Sequence, residues 1–85
     1  MKHAGDETLN TLEDLLDRLR KLEGILERKR GVFYRKGRAF LHFHEDPEGI
    51  FADLQTGNAW IRIKVNAVAQ RAALVRRARE ILRNK

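Results

Sequence analysis

The sequence predicts a small α+β fold of the order α-β-β-β-β-α, in which a four-stranded antiparallel meander sheet carries an N-terminal and a C-terminal helix on one face. Three observations support this fold class. Apolar residues recur at steps of three and four near both ends of the chain, and at steps of two in the middle. The connections between the middle segments are short, so neighbouring strands are expected to run antiparallel. The 85 residues are interpreted as one domain, with residues 1–7 as a disordered tail.

The first helix is predicted from Thr8 to Arg30. Its leucines define one apolar stripe, which consists of Leu12, Leu15, Leu19, Leu22 and Leu26 and is widened by Leu9 and Leu16. Basic residues in the last turn suit the negative end of the helix dipole, and Gly31 fits a left-handed helix stop. Gly24 lies on the polar side, where we expect it only to weaken or bend the helix.

Four strands are predicted between residues 32 and 65, because the apolar period changes to two there. They read VFYR (32–35), RAFLHFH (38–44), IFADLQ (50–55) and AWIRIKV (59–65). Glycine, proline, aspartate and asparagine in the three connections favour tight turns. Asn66 is then expected to cap a second helix that ends near Arg83.

The alternation assigns each strand residue to one of two faces of the sheet, once apolar residues are required to meet across each hairpin. The face expected to pack under the helices carries Val32, Tyr34, Ala39, Leu41, Phe43, Ile50, Ala52, Leu54, Ile61, Ile63 and Val65. The opposite face, named the open face here, is expected to carry Phe33, Phe40, His42, His44, Phe51, Asp53, Trp60, Arg62 and Lys64. These nine residues are the predicted interface or ligand face.

The composition argues against several chemistries. The chain has no cysteine and no serine, which excludes a disulfide framework, a thiolate metal site and Ser or Cys nucleophilic catalysis. It also has no glycine-rich phosphate-binding loop of the common types. Its longest apolar run is far shorter than a bilayer span and no secretion signal is visible, so a cytoplasmic location without membrane contact is expected. An enzyme is the less favoured interpretation, and no cofactor is predicted.

Two alternate histidines, His42 and His44, are expected to point to the same side of their strand. With Asp53 they could supply three ligands to a zinc- or iron-type ion, or Asp53 could orient an imidazole for proton transfer. Arg62 is expected to pair with Asp53, however, which would place a cation near such an ion. We therefore predict no metal site and interpret both histidines as surface or interface residues whose role is local.

The net charge of +6 is concentrated in the C-terminal helix. Residues 66–85 carry six positive side chains and one negative, whereas residues 1–30 carry seven of each. Arg76, Arg79 and Arg83 fall on one side of a helical wheel, a geometry that can follow a phosphate backbone. These arginines are the candidate polyanion site, with nucleic acid or another polyanion as the leading partner. The alternative is a basic helix that is merely solvated.

Self-association is predicted from the aromatic residues of the open face, because large uncovered apolar patches usually mark interaction sites. The patch would comprise Phe33, Phe40, Phe51 and Trp60. Leu9, Leu12 and Leu16 form a competing site, since a helix from 8 to 30 would overhang the strands.

These observations favour a small, cytoplasmic, non-catalytic binding module that is homodimeric and has a polyanion as its partner. One alternative is a small enzyme or metal-binding protein that uses the open face at His42, His44, Asp53 and Arg62. Another is a purely structural protein-protein interaction domain.

Overall fold

The computed structural model of the chain describes residues 2–83, which form six strands and three helices. In chain order the elements are β1 (Lys2–His3), α1 (Asp6–Thr11), α2 (Glu13–Arg20), β2 (Leu26–Lys29), β3 (Val32–Arg35), β4 (Arg38–Asp46), β5 (Gly49–Gln55), β6 (Trp60–Lys64) and α3 (Val68–Arg83). The fold is α+β with an antiparallel sheet and helices at both ends, as predicted. No helix within residues 2–83 is long and apolar enough to cross a bilayer.

Five strands of the sheet follow the order β2-β3-β4-β5-β6, so strands that are consecutive in sequence are neighbours in space. The predicted four-stranded meander corresponds to β3 through β6, and β2 extends it at one edge. β1 lies outside this path and pairs with the far end of β4, where Lys2 is opposite Glu45 and His3 is opposite His44. The sheet therefore has two more strands than the sequence indicated.

The first helical segment is much shorter than predicted. It is broken at Leu12 into α1 and α2, and it ends at Arg20 rather than at Arg30. Gly24 has a φ of 97°, a left-handed conformation in which the chain turns toward β2. Leu26, predicted on the buried stripe, is 65% exposed on that strand. The backbone hydrogen bonds of the sheet edge have overridden a helical period that continues past the end of the helix.

Arg20, the last residue of α2, ties this short helix to β2. Its guanidinium donates to Glu27 Oε1 at 2.6 Å, to Glu13 Oε1 at 2.7 Å and to Asp17 Oδ1 at 2.8 Å. Glu27 also accepts the backbone N–H of Gly31 at 2.8 Å. Burial acts to raise the pKa of Glu27, but the hydrogen bonds from Arg20 and Gly31 outweigh it and lower this pKa. The negative charges of Glu13, Asp17 and Glu27 are thus balanced partly by Arg20 within the chain.

Within the segment 1–7, predicted as a disordered tail, the structure places a short strand and the start of a helix. Lys2 and His3 form β1, and α1 follows almost directly. The backbone N–H of Gly5 donates to Glu45 Oε2 at 2.7 Å, which fastens the segment to β4. Met1 lies outside the described residues. The consequence for function is that His3 lies on the sheet.

The hydrophobic core lies between the helices and one face of the sheet. Its buried residues are Leu9, Leu12, Leu15, Leu16, Leu19, Phe33, Phe40, Leu41, Phe43, Ala52, Leu54, Val65, Leu74, Val75 and Ala78. Leu9, Leu12 and Leu16 are therefore buried within the single chain. The overhang predicted for these leucines, which would have met a second subunit, is wrong.

A bulge between β3 and β4 places Phe33 and Phe40 in the core. Phe33 is opposite Leu41 but Tyr34 is opposite Ala39, so Phe40 is the extra residue. Residues directly opposite each other share a face, and Phe33 therefore lies on the face of Leu41. Phe33 is 0% and Phe40 1% exposed. The predicted placement of both on the open face is wrong, because it assumed an uninterrupted register.

The connection from β6 to α3 is fixed by two side-chain amides. Gln70 Oε1 accepts the backbone N–H groups of Asn66 and Ala67, both at 2.9 Å. Asn66 Oδ1 accepts the N–H of Ile50 at 2.8 Å and so joins the connection to β5. Gln70 thus makes the contact that the third helical residue makes in a capping box, and α3 extends to Arg83 as expected.

Candidate functional site

The open face carries a charged row across three strands. His42 on β4 is opposite Asp53 on β5, and Asp53 is opposite Arg62 on β6. The next row consists of His44, Phe51 and Lys64. This is the register predicted for these strands, and it turns both histidines away from the core.

Asp53 is the buried centre of the charged row, with 8% of its surface exposed. Arg62 donates to it twice, from Nε to Oδ1 at 2.8 Å and from Nη2 to Oδ2 at 3.0 Å. This bidentate pair lowers the pKa of Asp53 more strongly than burial raises it. Asp53 is therefore ionised at neutral pH, and its charge is balanced by the charge of Arg62.

His3, His42 and His44 form a compact group on the open face, named the histidine cluster. The rings of His3 and His44 stack with their centroids 4.9 Å apart, and the rings of His42 and His44 meet edge-on at 4.8 Å. The centroids of His3 and His42 are 5.9 Å apart. One ring nitrogen from each residue lies within 4.8 Å of the corresponding nitrogens of the other two.

Several nitrogens of the histidine cluster are buried without a hydrogen-bond partner. They are Nδ1 of His42 and both ring nitrogens of His44, judged against the part of the chain that the structure describes. His44 Nε2 does lie 3.0 Å from Asp53 Oδ2, but this contact lacks the direction of a hydrogen bond. Buried polar atoms are nearly always paired in proteins. The ring nitrogens of the cluster are thus available to a hydrogen-bond partner or a metal ion.

The protonation of His42 is set by its surroundings. Burial, followed by the neighbouring His44, lowers the pKa of His42, and the opposite effect of Asp53 does not offset this. The imidazole is therefore neutral at neutral pH. A neutral imidazole keeps a lone pair on one ring nitrogen, which can accept a proton or a metal ion.

Trp60 is the exposed aromatic residue of the open face. It is 44% exposed, and its ring lies 5.0 Å from that of His42. Phe51 on the same face is buried, so the apolar patch predicted for self-association has shrunk from four aromatic residues to one. The other large exposed apolar side chains within residues 2–83 are Leu26 and Val68, on β2 and α3. Because β2 and β6 are opposite edges of the sheet, Leu26 is not a neighbour of Trp60.

A second candidate region lies at the turn between β3 and β4. A cavity of about 520 Å³ is lined there by Arg35, Lys36, Arg38, Ala39, Phe40, Gln55 and Gly57. The guanidinium carbon of Arg35 is 6.0 Å from the centre of the Phe40 ring. We name Arg35, Lys36 and Arg38 the basic turn. Three cations thus surround one open groove.

The C-terminal part of α3 lies on the other side of the same loop. A groove of about 550 Å³ is lined by Thr56, Arg77, Glu80, Ile81 and Arg83. Thr56 stands between Gln55 and Gly57, which line the cavity of the basic turn. Arg77 and Arg83 of α3 therefore lie on one side of the β5–β6 loop, and the basic turn lies on the other. We name the basic turn together with the exposed arginines of α3, which are Arg76, Arg77, Arg79 and Arg83, the basic end. Arg79 lines a separate groove beside Lys21 and Glu23.

Sequence reasoning missed His3 and the adjacency within the basic end. His3 lies in a two-residue strand, which is too short to show any periodicity. Its partner, His44, is about forty residues away, and no turn signal links the two segments. The basic turn and α3 are likewise joined by tertiary structure alone.

No protein family, curated protein or solved structure matches this chain. The two regions are therefore interpreted from their own chemistry. The histidine cluster offers nitrogen ligands beside a buried carboxylate, whereas the basic end offers cations, most of them exposed.

Proposed function

We propose that the protein is a small, non-catalytic binding module whose basic end holds a polyanion, with single-stranded nucleic acid as the first candidate. The observation that carries the proposal is the position of the β5–β6 loop, with the basic turn on one side and the end of α3 on the other. Two basic segments far apart in sequence thereby form one positively charged region. A phosphate backbone is a ligand of matching charge and length.

The arginines of α3 differ from Arg20, Arg30 and Arg62 in lacking acidic partners within residues 2–83. Arg20, Arg30 and Arg62 bind carboxylates at 2.6, 2.7 and 2.8 Å, respectively. Between residues 2 and 83, no ion pair of this kind is formed by an arginine of α3. Glu80 is the one acidic residue of the helix. The charge of α3 is therefore available to an external anion.

The spacing of the exposed arginines suits a phosphate backbone. Arg76, Arg79 and Arg83 lie on one side of α3 because helical residues three, four and seven apart share a face. At ~1.5 Å per residue they span about 10 Å of helix axis. That length equals about three steps of ~3.4 Å along the axis of a duplex. Their planar guanidinium groups can each bind phosphate oxygens in pairs.

Trp60 favours a single strand over a duplex as the ligand. It is opposite Gln55, a residue that lines the cavity of the basic turn, so its half-exposed indole borders the basic end. Proteins that bind unpaired strands combine a basic groove with exposed aromatic rings on which bases stack. Phe40 cannot take this role because it is buried. Stacking on one ring is tolerant of sequence, so weak sequence preference is expected.

The homodimer and the cytoplasmic location remain predictions. Phe33 and Phe40 belong to the core, so Trp60 is the aromatic residue left to support pairing through the open face. A single exposed indole contributes far less contact area than the predicted patch of four rings. Light scattering at high protein concentration decides the oligomeric state.

The proposal is tested by measuring how the protein binds fluorescently labelled single-stranded DNA, single-stranded RNA and generic duplex by anisotropy. We expect affinity to fall steeply between about 50 and 200 mM salt, because each neutralised phosphate releases counterions. Replacing Arg76, Arg79 and Arg83 together by glutamine should reduce the steepness of the salt dependence. For single strands, we expect the slope of log affinity against log salt concentration to become less negative by about 2.

The matched control removes three exposed cations elsewhere, with Arg18, Lys29 and Lys64 replaced by glutamine. It loses the same total charge but leaves the basic end intact, so its salt slope should stay close to that of the wild type. Equal losses in the two variants would show a general charge effect rather than a site. A wild type that binds none of the three ligands at low salt would overturn the proposal.

A further inference from the structure

All three histidines of the chain meet on the open face, although they come from two strands that are distant in sequence. His42 and His44 are brought together by alternation along β4, and His3 arrives through the pairing of β1 with that strand. A chain that places its whole supply of imidazoles in one cluster concentrates nitrogen ligands there. This chemistry differs from that of the basic end.

We propose that His3, His42 and His44 bind one divalent transition-metal ion of the class that prefers imidazole ligands, with Zn²⁺ as the first candidate. The three imidazoles supply three ligands, and water takes the fourth tetrahedral position. This inference is independent of the polyanion proposal. It departs from the sequence-based expectation of no metal, which considered Asp53 rather than His3 as the third ligand.

The ligand atoms are close enough to converge on one ion. Three ring nitrogens lie within 4.8 Å of one another. Tetrahedral coordination at a Zn–N distance of ~2.0–2.1 Å requires nitrogens that are about 3.3 Å apart. Small rotations of the side chains can close this difference, and His3 has the freedom to move because it is exposed.

The unpartnered nitrogens distinguish a ligand set from a simple stack of rings. Packing the three imidazoles beside Trp60 would leave buried nitrogens of His42 and His44 without partners. A buried polar atom without a partner costs free energy, and proteins rarely retain one without a use. An ion bound by these nitrogens would satisfy the lone pairs that nothing else within residues 2–83 occupies.

Asp53 supplies the outer support that metal-bound histidines usually have. Its Oδ2 lies 3.0 Å from His44 Nε2, so a small rotation of the ring would let that N–H donate to the carboxylate. The other ring nitrogen, Nδ1, would then be the ligand. Arg62 is paired with Asp53 through two hydrogen bonds, so its charge is already balanced. The positive charge of Arg62, which argued against a metal site, is thus balanced by Asp53.

The direct test uses Zn²⁺ itself, added to protein that carries no histidine tag and has been treated with a chelator. Isothermal titration calorimetry should give one ion per chain. Co²⁺ should give the visible absorption of a low-symmetry, four-coordinate site, and Cu²⁺ should quench the fluorescence of Trp60, the sole tryptophan. Mg²⁺, which prefers oxygen ligands, should have no effect. A wild type that shows no saturable Zn²⁺ binding at millimolar concentration overturns the proposal.

His3→Gln is the decisive variant, because His3 is exposed and its replacement should not disturb folding. We expect it to weaken Zn²⁺ binding at least about 10-fold, since one of three protein ligands is lost. Lys2→Gln is the matched control on the same strand, and it should bind Zn²⁺ like the wild type. Undiminished binding in His3→Gln would overturn the proposal, whatever the behaviour of the His42 and His44 variants.

Asp53→Asn tests the outer support separately. Loss of the carboxylate beside a ligating histidine typically weakens metal binding by about 10- to 100-fold. Circular dichroism of the metal-free variant establishes that it is folded. If folded Asp53→Asn binds Zn²⁺ as well as the wild type, the role assigned to Asp53 is wrong.

Discussion

Leu41 and Leu54 are paired across β4 and β5 on the helix-covered face, and both are fully buried. One residue further along, His42 and Asp53 are paired in the same way on the open face. The first pair is covered by helices and needs no partner beyond apolar contact. The second pair is covered by neighbouring side chains of the sheet and depends on charge and hydrogen bonds. The covered face thus holds the apolar core, whereas the open face holds buried titratable side chains.

The difference shows why the open face can carry unsatisfied ligand atoms. Burial of apolar area on the covered face contributes about 25 cal/mol for each Å² removed from water. The free energy gained by this burial can offset a local cost such as that of the unpartnered nitrogens of His42 and His44. In a fold with a thinner core, the same cost would remove a larger share of the free energy of unfolding.

The largest expected effect lies on the covered face. Phe33→Ala removes a fully buried ring from the core, and we expect it to lower the free energy of unfolding by about 3–5 kcal/mol. Urea denaturation measures this change. Leu26→Ala is the control, because Leu26 is 65% exposed on the neighbouring strand and should cost about 0.5 kcal/mol or less. Similar losses in both variants would contradict the bulge that places Phe33 in the core.

An intermediate effect is expected at the charged row of the open face. Asp53→Asn keeps the shape of the side chain but removes its charge, and should cost about 1–2 kcal/mol at neutral pH in metal-free protein. The pKa of Asp53 is lowered in the folded state, so its contribution is complete above the unfolded value and is lost as pH falls through the folded value. The difference between wild type and Asp53→Asn should therefore shrink in acid.

Urea denaturation at neutral and at acidic pH provides this comparison. His42 also makes the folded state less stable as pH falls, but in a higher pH range than Asp53. Because the pKa of His42 is lowered by folding, this loss of stability begins as pH falls below the ordinary histidine value. Asp53 raises the pKa of His42, so the His42 effect differs between wild type and Asp53→Asn, and the two are therefore compared in a His42→Gln background. A difference that is constant with pH would show that the ion pair with Arg62 does not stabilise the fold.

The smallest effect is expected at Trp60. Trp60→Ala removes a half-exposed indole and should change the free energy of unfolding by about 1 kcal/mol or less at low protein concentration. The same variant should weaken single-strand binding, because a stacked base is worth about 1–3 kcal/mol. A stability loss as large as that of Phe33→Ala, growing with protein concentration, would instead indicate that a second copy covers this ring.

The sequence predicted β3 to β6 and the charged row because short hairpins and a period of two leave little freedom in register. The row of His42, Asp53 and Arg62 follows directly from that register. Phe33 and Phe40 were misplaced because a bulge adds one residue without changing the local pattern of apolar side chains.

The N-terminal third was harder to predict. Leu22 and Leu26 are four residues apart, a helical spacing that persists although the chain has left the helix at Arg20. The left-handed conformation of Gly24 is the local cause, and glycine within a predicted helix has several outcomes. His3 could not be placed from sequence, because a strand of two residues is held by a distant partner rather than by its own pattern.

The pairing of β1 with β4 predicts an order of folding. Each hairpin from β2 to β6 joins segments that are adjacent in sequence, whereas the contact between Gly5 and Glu45 closes a loop of 40 residues. Closing a long loop costs more chain entropy than closing a short one, so we expect the hairpins to form first and β1 to dock last. The third imidazole therefore arrives only when the sheet is complete. Binding at the proposed metal site would then report on the finished fold, and the β1 amides should be among the earliest to exchange with deuterium.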